Sequence, residues 1–466
     1  MLAIAGTYSL LITLAFIVYV ILIVVPFLRR TPDPEGPVDA FEWHMFVPCR
    51  DEEVVIGRTI RMLRTTVPQA HVWVIDDDSD DGTAAIVQAA ADADTFVHLV
   101  QRRRPEARTG KGDALNAAYF AMNAFLPAGT DRSRVVACVV DADGEVAENI
   151  LRQAASPKAF GDPEVGAAQV TVYMKNRDDR RPVAGAGRAR NAFGRFLIRM
   201  QDMEFRGQIA AVQALRGWTQ TVGLGGNGQF TRLSVLDDIA ARSDRPWHGS
   251  LLEDYELGIH ILLAGHKNRH LHDTYVAQEA LHDFRRFAVQ RTRWAQGNMQ
   301  CIRYIPEIVR SRKLSIVGVL EVCYYLLLPV FQVLACVAAV TLLIGATVGL
   351  LTGTLVVPLT SLLLFVVLYL VLGIGPFVVW GPIYRRHSEP GIGFWRAVLW
   401  GIGVCGCTTT TCTWRELARS IGSYADATGG RRPGAMMRST WPAWSRRTHE
   451  GRVGYGGRVS PESDRR

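Results

Sequence analysis

Asp141 and Asp143 stand one residue apart, directly after the apolar run VVACVV. Two acids at the exposed end of a buried strand are suited to hold a divalent cation against a diphosphate. Hard cations such as Mg2+ or Mn2+ take oxygen ligands and keep positions open for substrate phosphates. A D-x-D pair also arises in solvated turns, so its weight depends on what accompanies it. A second acidic group, DDDSDDGT, closes the run HVWVI at residues 76–83. Helix capping accounts for Ser79 to Thr83, because Ser and Asp satisfy the free amides of a helix start. It leaves Asp76 and Asp77 unexplained, and a carboxylate there can accept the imide N–H of a uracil base. Asp77 is the better placed of the two.

Further along, GKGD places Lys111 between Gly110 and Gly112. The glycines let backbone approach a ligand, and the ammonium offers a point charge to phosphate. The neighbouring Arg102 to Arg104 read as a solvated basic loop. GLGGNGQFTR, residues 223–232, is rich in glycine but lacks the strand-to-helix setting of a dinucleotide site. It reads as a turn, with Gly226 flooring an acceptor pocket. Glu253 and Asp254 then open an amphipathic helix, where acids are favoured in any case. An inverting sugar transfer needs a base for the acceptor hydroxyl, and Asp254, supported by Glu253, suits that task. Finally QRTRW places Gln290 and Arg293 on one helix face, followed by Trp294. Arg can clamp phosphate and Trp can stack under a sugar ring, although interfacial helices also favour both residues.

The elements that must carry these residues alternate between strand and helix. FEWHMFVP, HVWVIDD, TFVHLVQ, RVVACVVDAD and VGAAQVTVYM are short apolar or β-branched runs ending in polar residues. EEVVIGRTIRMLRTT, DGTAAIVQAAADA and GDALNAAYFAMNAF lie between them as helices. This order predicts an α/β domain, a mostly parallel sheet with helices on both faces. Ligands in such sheets bind beyond the carboxyl ends of the strands, where the acids above fall. Residues 175–199 break the pattern as a basic, Gly-rich loop leading into a helix.

Around this domain the chain is apolar. Met1 to Leu28 carries no charge, Leu314 to Tyr384 carries only Glu321, and Ala397 to Trp414 carries none. About 20 apolar residues span a bilayer core. The first run lacks a basic start and ends in Arg29-Arg30, which suits an uncleaved anchor with the following domain in the cytoplasm. The expected layout is a transmembrane helix over 1–29, a cytoplasmic catalytic domain over 30–289 and an interfacial helix over 290–313. Membrane helices follow over 314–414, then a basic cytoplasmic tail over 415–466. Four or five membrane elements are expected: either Pro329 splits the long run into two short elements, or the last run is re-entrant. The eight cysteines show no paired spacing and read as buried thiols. A net charge of +8 is spread along the chain, which suits a face near anionic lipid better than nucleic acid.

Taken in order, VPCRDEE, DDDSDDGT, GKGDALN, DAD, LEDYELG and QRTRW resemble the family 2 inverting glycosyltransferases. The likeness is to the membrane-embedded branch of cellulose, chitin and hyaluronan synthases, and it covers roughly residues 40 to 300. The resemblance implies a GT-A fold, with Asp77 on the uracil and Lys111 near the nucleotide. Asp141 and Asp143 would flank a metal-bound diphosphate, and Asp254 would be the base. Gln290, Arg293 and Trp294 would hold the diphosphate and the acceptor end. This chain departs from the family at Asp78, where Gly is frequent, and at Leu252, where Thr is common. The expected activity is transfer from a UDP-sugar to a growing polysaccharide exported across the plasma membrane. The alternative is one sugar added to a lipid acceptor; a catalytically silent membrane scaffold is a third reading that the three acids oppose.

Overall fold

The computed structural model describes residues 2–353, 360, 363, 367 and 369–410. The expected basic tail over 415–466 lies outside them. Eight strands form one sheet: β1 (Glu42–Cys49), β2 (His71–Asp77), β3 (Val97–Arg102), β4 (Val135–Val139), β5 (Glu145–Val146), β6 (Val165–Met174), β7 (Gln229–Arg232) and β8 (Lys267–Gln278). Their spatial order is β3-β2-β1-β4-β7-β6-β8-β5.

The first four strands are parallel, as are β6 and β8. β7 runs antiparallel to both neighbours, and β5 antiparallel to β8, so six of the eight strands run one way: the sheet is mostly parallel, as expected, with β5 and β7 reversed. The reversal at β7 matters for the site. Gln229 pairs with Val139, so β7 begins where β4 ends. The glycine loop before β7 is thereby delivered to the carboxyl edge of the sheet, beside Asp141 and Asp143. β8 was hidden from the strand reading because KNRHLHDTYVAQ lacks an apolar run.

Side chains of the central strands alternate between two cores, as the two-residue period of a strand requires. Met45, Val47, Val72, Val74, Val136 and Cys138 pack on one face. That face is covered by α2 (Ile56–Thr66), α3 (Thr83–Ala93) and the short α5 (Ile150–Ala154), through Ile56, Ile60, Leu63, Val87 and Ile150. Phe46, Trp73, Ile75, Ala137 and Val139 face the other core. There α4 (Lys111–Phe125), α8 (Leu233–Ser243) and α9 (Glu253–Ala264) supply Leu115, Ala118, Met122, Leu236, Leu257 and Ile261. Burying each such side chain contributes about 1.5–3 kcal/mol, which fixes the helices to both faces.

The basic segment after β6 is tied down by Asn191, whose Oδ1 accepts the N–H of Val183 at 3.0 Å. From Arg188 it becomes α6 (Arg188–Met203), which passes through a wider turn at Glu204–Ile209 into α7 (Ala210–Thr219). α10 (Phe284–Cys301) carries QRTRW and starts at Asp283, whose side chain accepts from Arg286 N. α11 (Ile305–Arg310) leads to α12 (Ile316–Leu351), and α1 (Leu2–Leu28) opens the chain.

Among the described residues two helical stretches are long and apolar enough to cross a membrane, Gly6–Leu28 and Ile316–Leu351. The second continues through Pro329 for 36 residues, so that proline does not split it. α1 packs on α7 through Ile23, Phe27, Ala211 and Leu215, and its Tyr19 ring lies 4.9 Å from that of Tyr324 on α12. The linker after α1 is clipped to the sheet by Asp33, whose Oδ2 accepts the N–H of His272 at 2.6 Å.

Candidate active site

The carboxyl edge of the sheet gathers residues from well-separated stretches of sequence. At its centre Lys111 Nζ donates to Asp141 Oδ1 at 2.6 Å. Lys111 is the first residue of α4, and that helix is fixed by Asn116, which exchanges two hydrogen bonds with the backbone of Trp247 at 2.8 and 3.0 Å. Burial pulls the ammonium down, but the charges of Asp141, Glu253 and Asp254 outweigh it and hold Lys111 above its usual range.

Asp141 and Asp143 leave β4 in a turn in which Gly144 N donates to Asp141 O at 2.8 Å. Asp143 Oδ2 accepts the N–H of Glu279 at 2.9 Å, and its carbonyl accepts from Lys175 Nζ at 2.7 Å. Burial raises the Asp143 carboxyl, and Asp141 adds to it against the bond from Glu279. Across the same edge, burial and then the charges of Asp143, Asp81 and Asp141 push Glu52 up to about 7. Such a set of oxygen donors in mutual repulsion fits a hard divalent cation.

Glu253 and Asp254 form the first turn of α9. Both carboxyls are raised, Glu253 by burial and by Asp254, and Asp254 by burial against the opposing charge of Lys111. Gly226 lies directly against them in a left-handed conformation, φ +76°. A Cβ there would sit 2.9 Å from Asp254 Oδ2 and 3.5 Å from Lys111 Nζ, so a side chain would displace the carboxylate and strain the backbone, and glycine is favoured. Lys111, Asp141, Gly226 and Asp254 therefore adjoin one another.

Asp76 and Asp77 end β2 a short way along this edge, both buried. Asp76 Oδ1 accepts the N–H of Ser79 at 3.2 Å and its Oδ2 lies 3.3 Å from Arg103. Asp77 Oδ1 accepts the N–H of Arg108 at 3.1 Å and pairs with Arg102. Arg102, expected to be solvated, is thus paired and only partly exposed: it ends β3, the neighbour of β2. Burial raises the Asp77 carboxyl.

QRTRW lies on α10. Gln290 is half-buried and Arg293 exposed. The charge of Arg293 lowers the Glu253 carboxyl, which places it towards the acid pair. Trp294 packs edge-on against Phe205 at 6.1 Å, and the Arg291 guanidinium lies 4.3 Å from its ring centre. Arg291 in turn makes two hydrogen bonds to Glu204, at 2.9 and 2.6 Å. Trp294 is therefore held between α10 and the turn after α6.

Three site residues escaped the motif reading. Asn227 accepts the N–H of Asp141 at 3.2 Å and donates to Gln278 at 2.9 Å. Gln169 accepts from Gly225 N and donates to Asn227 O, both at 2.8 Å, which pins the glycine loop. Its signal was present, a Gln inside the apolar strand β6. Glu52 is the third, within VPCRDEE.

The sequence pattern described as glycosyltransferase like family 2 matches residues 43–297, more than half of the chain. The chain is 25% identical over 279 residues to the probable glycosyltransferase YdaM of Bacillus subtilis, covering 59% of each. It is 28% identical over 265 residues to the beta-monoglucosyldiacylglycerol synthase of Synechocystis, covering 56% of this chain and 48% of that one. The chain thus spans about half the length of the curated relatives it matches. Among solved structures, the mannosyltransferase PcManGT of Pyrobaculum calidifontis, in complex with GDP-Man and Mn2+, aligns with a TM-score of 0.52. The alignment covers 87% of this chain and 97% of that one at 18% identity, a likeness of fold.

Proposed function

We propose, on the premise that this chain belongs to the glycosyltransferase like family 2, that it moves a sugar from a UDP-sugar to an acceptor presented at the membrane. The observation that carries this reading is the adjacency of Lys111, Asp141, Gly226 and Asp254 at the carboxyl edge of the sheet. Asp77 is suited to accept the uracil imide N–H. Lys111 supplies positive charge beside the diphosphate. Asp141 and Asp143 would hold Mg2+ or Mn2+, which when bound neutralises charge on the departing diphosphate. Asp254 takes the proton of the acceptor hydroxyl. The acceptor oxygen bonds to the anomeric carbon from the face opposite the leaving group, whose carbon–oxygen bond breaks, so the configuration inverts. Glu253 shares the raised titration of Asp254 and keeps the base basic. Arg293 is suited to hold the diphosphate, with Gln290 one turn before it.

A lipid acceptor is the first reading. Supporting it, α1 and α12 attach directly to the catalytic domain, and a relative bears the name of a glycolipid synthase. Phe193 and Phe196 on α6 and Phe284 on α10, the helix that carries Trp294, also form an exposed aromatic cluster. A growing polysaccharide, passed across the membrane, is the second reading, and QRTRW favours it. In both, the protein is a multi-pass protein of the plasma membrane with its catalytic domain in the cytoplasm, a placement suggested by Arg29 and Arg30 after α1.

Incubating membranes that contain the protein with a panel of UDP-sugars, followed by mass spectrometry, tests this. A single hexose on a lipid supports the first reading and a ladder the second. No transfer with any donor would overturn the assignment.

A further inference from the structure

Glu321 is the one charged residue in the apolar stretch from Leu314 to Tyr384. It sits on the first turns of α12, 7% exposed, and among the described residues its hydrogen-bond partners belong to the end of α7 and the turn that follows. Arg216 Nε donates to Glu321 Oε1 at 2.8 Å, and Thr221 Oγ1 donates to Oε2 at 2.8 Å. Thr219 and Thr221 share a further hydrogen bond at 2.6 Å. The Arg216 guanidinium lies 4.0 Å from the ring centre of Tyr325, also on α12, and 5.8 Å from that of Tyr255. Removing such charges from water is costly, and an apolar pair would hold two elements together as well. A carboxylate with two fixed donors adds direction, because it sets the register of the turn it grips.

That turn runs straight into the candidate base. A Cβ at Gly223 would lie 2.7 Å from Arg216 Nη1 and 3.1 Å from the ring of Tyr255, the residue after Asp254. Three residues later Gly226 faces the Asp254 carboxylate. Gln213 on α7 grips the same loop, donating to Gly223 O at 2.7 Å.

We infer that Glu321 is a positioning residue: through Arg216 and Thr221, the membrane helix holds the loop of residues 219–226 in the register that sets Gly226 against Asp254. Transfer is thereby tied to the docking of α12 on the catalytic domain. The inference deepens the proposed function and rests on Asp254 as the base.

The test compares Glu321→Gln and Thr221→Val with wild type, each as the full chain in detergent. Hydrogen exchange over residues 219–226 is expected to rise at least about 10-fold in Glu321→Gln and less in Thr221→Val, with β1 to β4 unchanged. In the same samples kcat is expected to fall about 10-fold or more, with donor KM and UDP affinity within about twofold. Unchanged exchange in the loop overturns the inference, as does raised exchange with unchanged kcat. A parallel loss of UDP affinity also overturns it, because it marks general disruption. If Glu321→Gln does not fold, Thr221→Val, which removes only a hydroxyl, decides by the same two measurements. Absence of transfer by the wild type would count against the proposed function, while the exchange result would still decide whether the loop is held from α12.

Discussion

Gly226 and Asp254 face each other so closely that a methyl group on the first would stand 2.9 Å from Oδ2 of the second. The glycine also occupies a backbone conformation, φ +76°, that side chains resist. Gly226→Ala therefore meets two penalties, a strained backbone and a displaced carboxylate. It should cost about 1–2 kcal/mol of stability and lower kcat by about 10-fold or more. Thermal unfolding beside initial rates checks both, and a fully active, fully stable Gly226→Ala would separate Gly226 from the base.

The acids on the carboxyl edge lead to a second expectation. Burial and the neighbouring acids raise Asp143 and Glu52, so a divalent cation should relieve the repulsion. Chelation should abolish transfer, and added Mg2+ or Mn2+ should restore it. Asp143→Asn should lower kcat by about 100-fold or more while the protein stays folded. Full activity in excess chelator would remove the metal from the account.

The dependence on pH follows from Glu253 and Asp254. Burial raises both carboxyls above the usual carboxylate range, and the pair titrates as a unit. A base works only when ionised. Transfer should therefore be complete at high pH and be lost as pH falls through the raised value, not at the ordinary carboxylate range near 4. For stability the sign is opposite: raised native values mean that folding favours the protonated form, so the pair stabilises the fold at low pH and that contribution is lost as pH rises through them. A rate profile whose acid limb lies at or below pH 4 would show that the pair is not the titrating base.

Trp294 and Arg293 should part company on substitution. Trp294 is anchored by Arg291 and Phe205, whereas Arg293 is exposed and its charge acts on Glu253. Trp294→Ala should leave UDP affinity within about twofold and reduce transfer to acceptor, or product length. Arg293→Ala should weaken donor binding and slow every transfer. Calorimetry with UDP and analysis of product size distinguish them; wild-type transfer by Trp294→Ala would leave that residue a packing element only.

Much of the sheet was legible because β1, β2, β4 and β6 are buried on both faces and read as mainly apolar runs, with single polar residues such as His44 and Gln169 inside them. β8 was not, since Asn268, His270 and Thr274 are buried within it, and polar side chains break the run. β7 was concealed in the glycine loop, so its reversed direction, which brings Gly226 to Asp141, could not be foreseen. The acids at strand ends stood out by type and spacing. Their partners did not: Arg102 meets Asp77 only because β3 lies next to β2. Glu321 was visible as an isolated acid in an apolar run, but its partner Arg216 lies over a hundred residues away.

Asp254→Asn tests the central claim most directly, because it removes proton acceptance at nearly constant size and leaves Asp76 and Asp77 on β2 untouched. UDP-sugar affinity and turnover should be measured on one preparation of folded protein. The expected result is donor affinity within about twofold of wild type, with turnover lower by about 100- to 10,000-fold. Turnover near wild type, or loss of donor affinity in step with turnover, would contradict the assignment of Asp254 as the base.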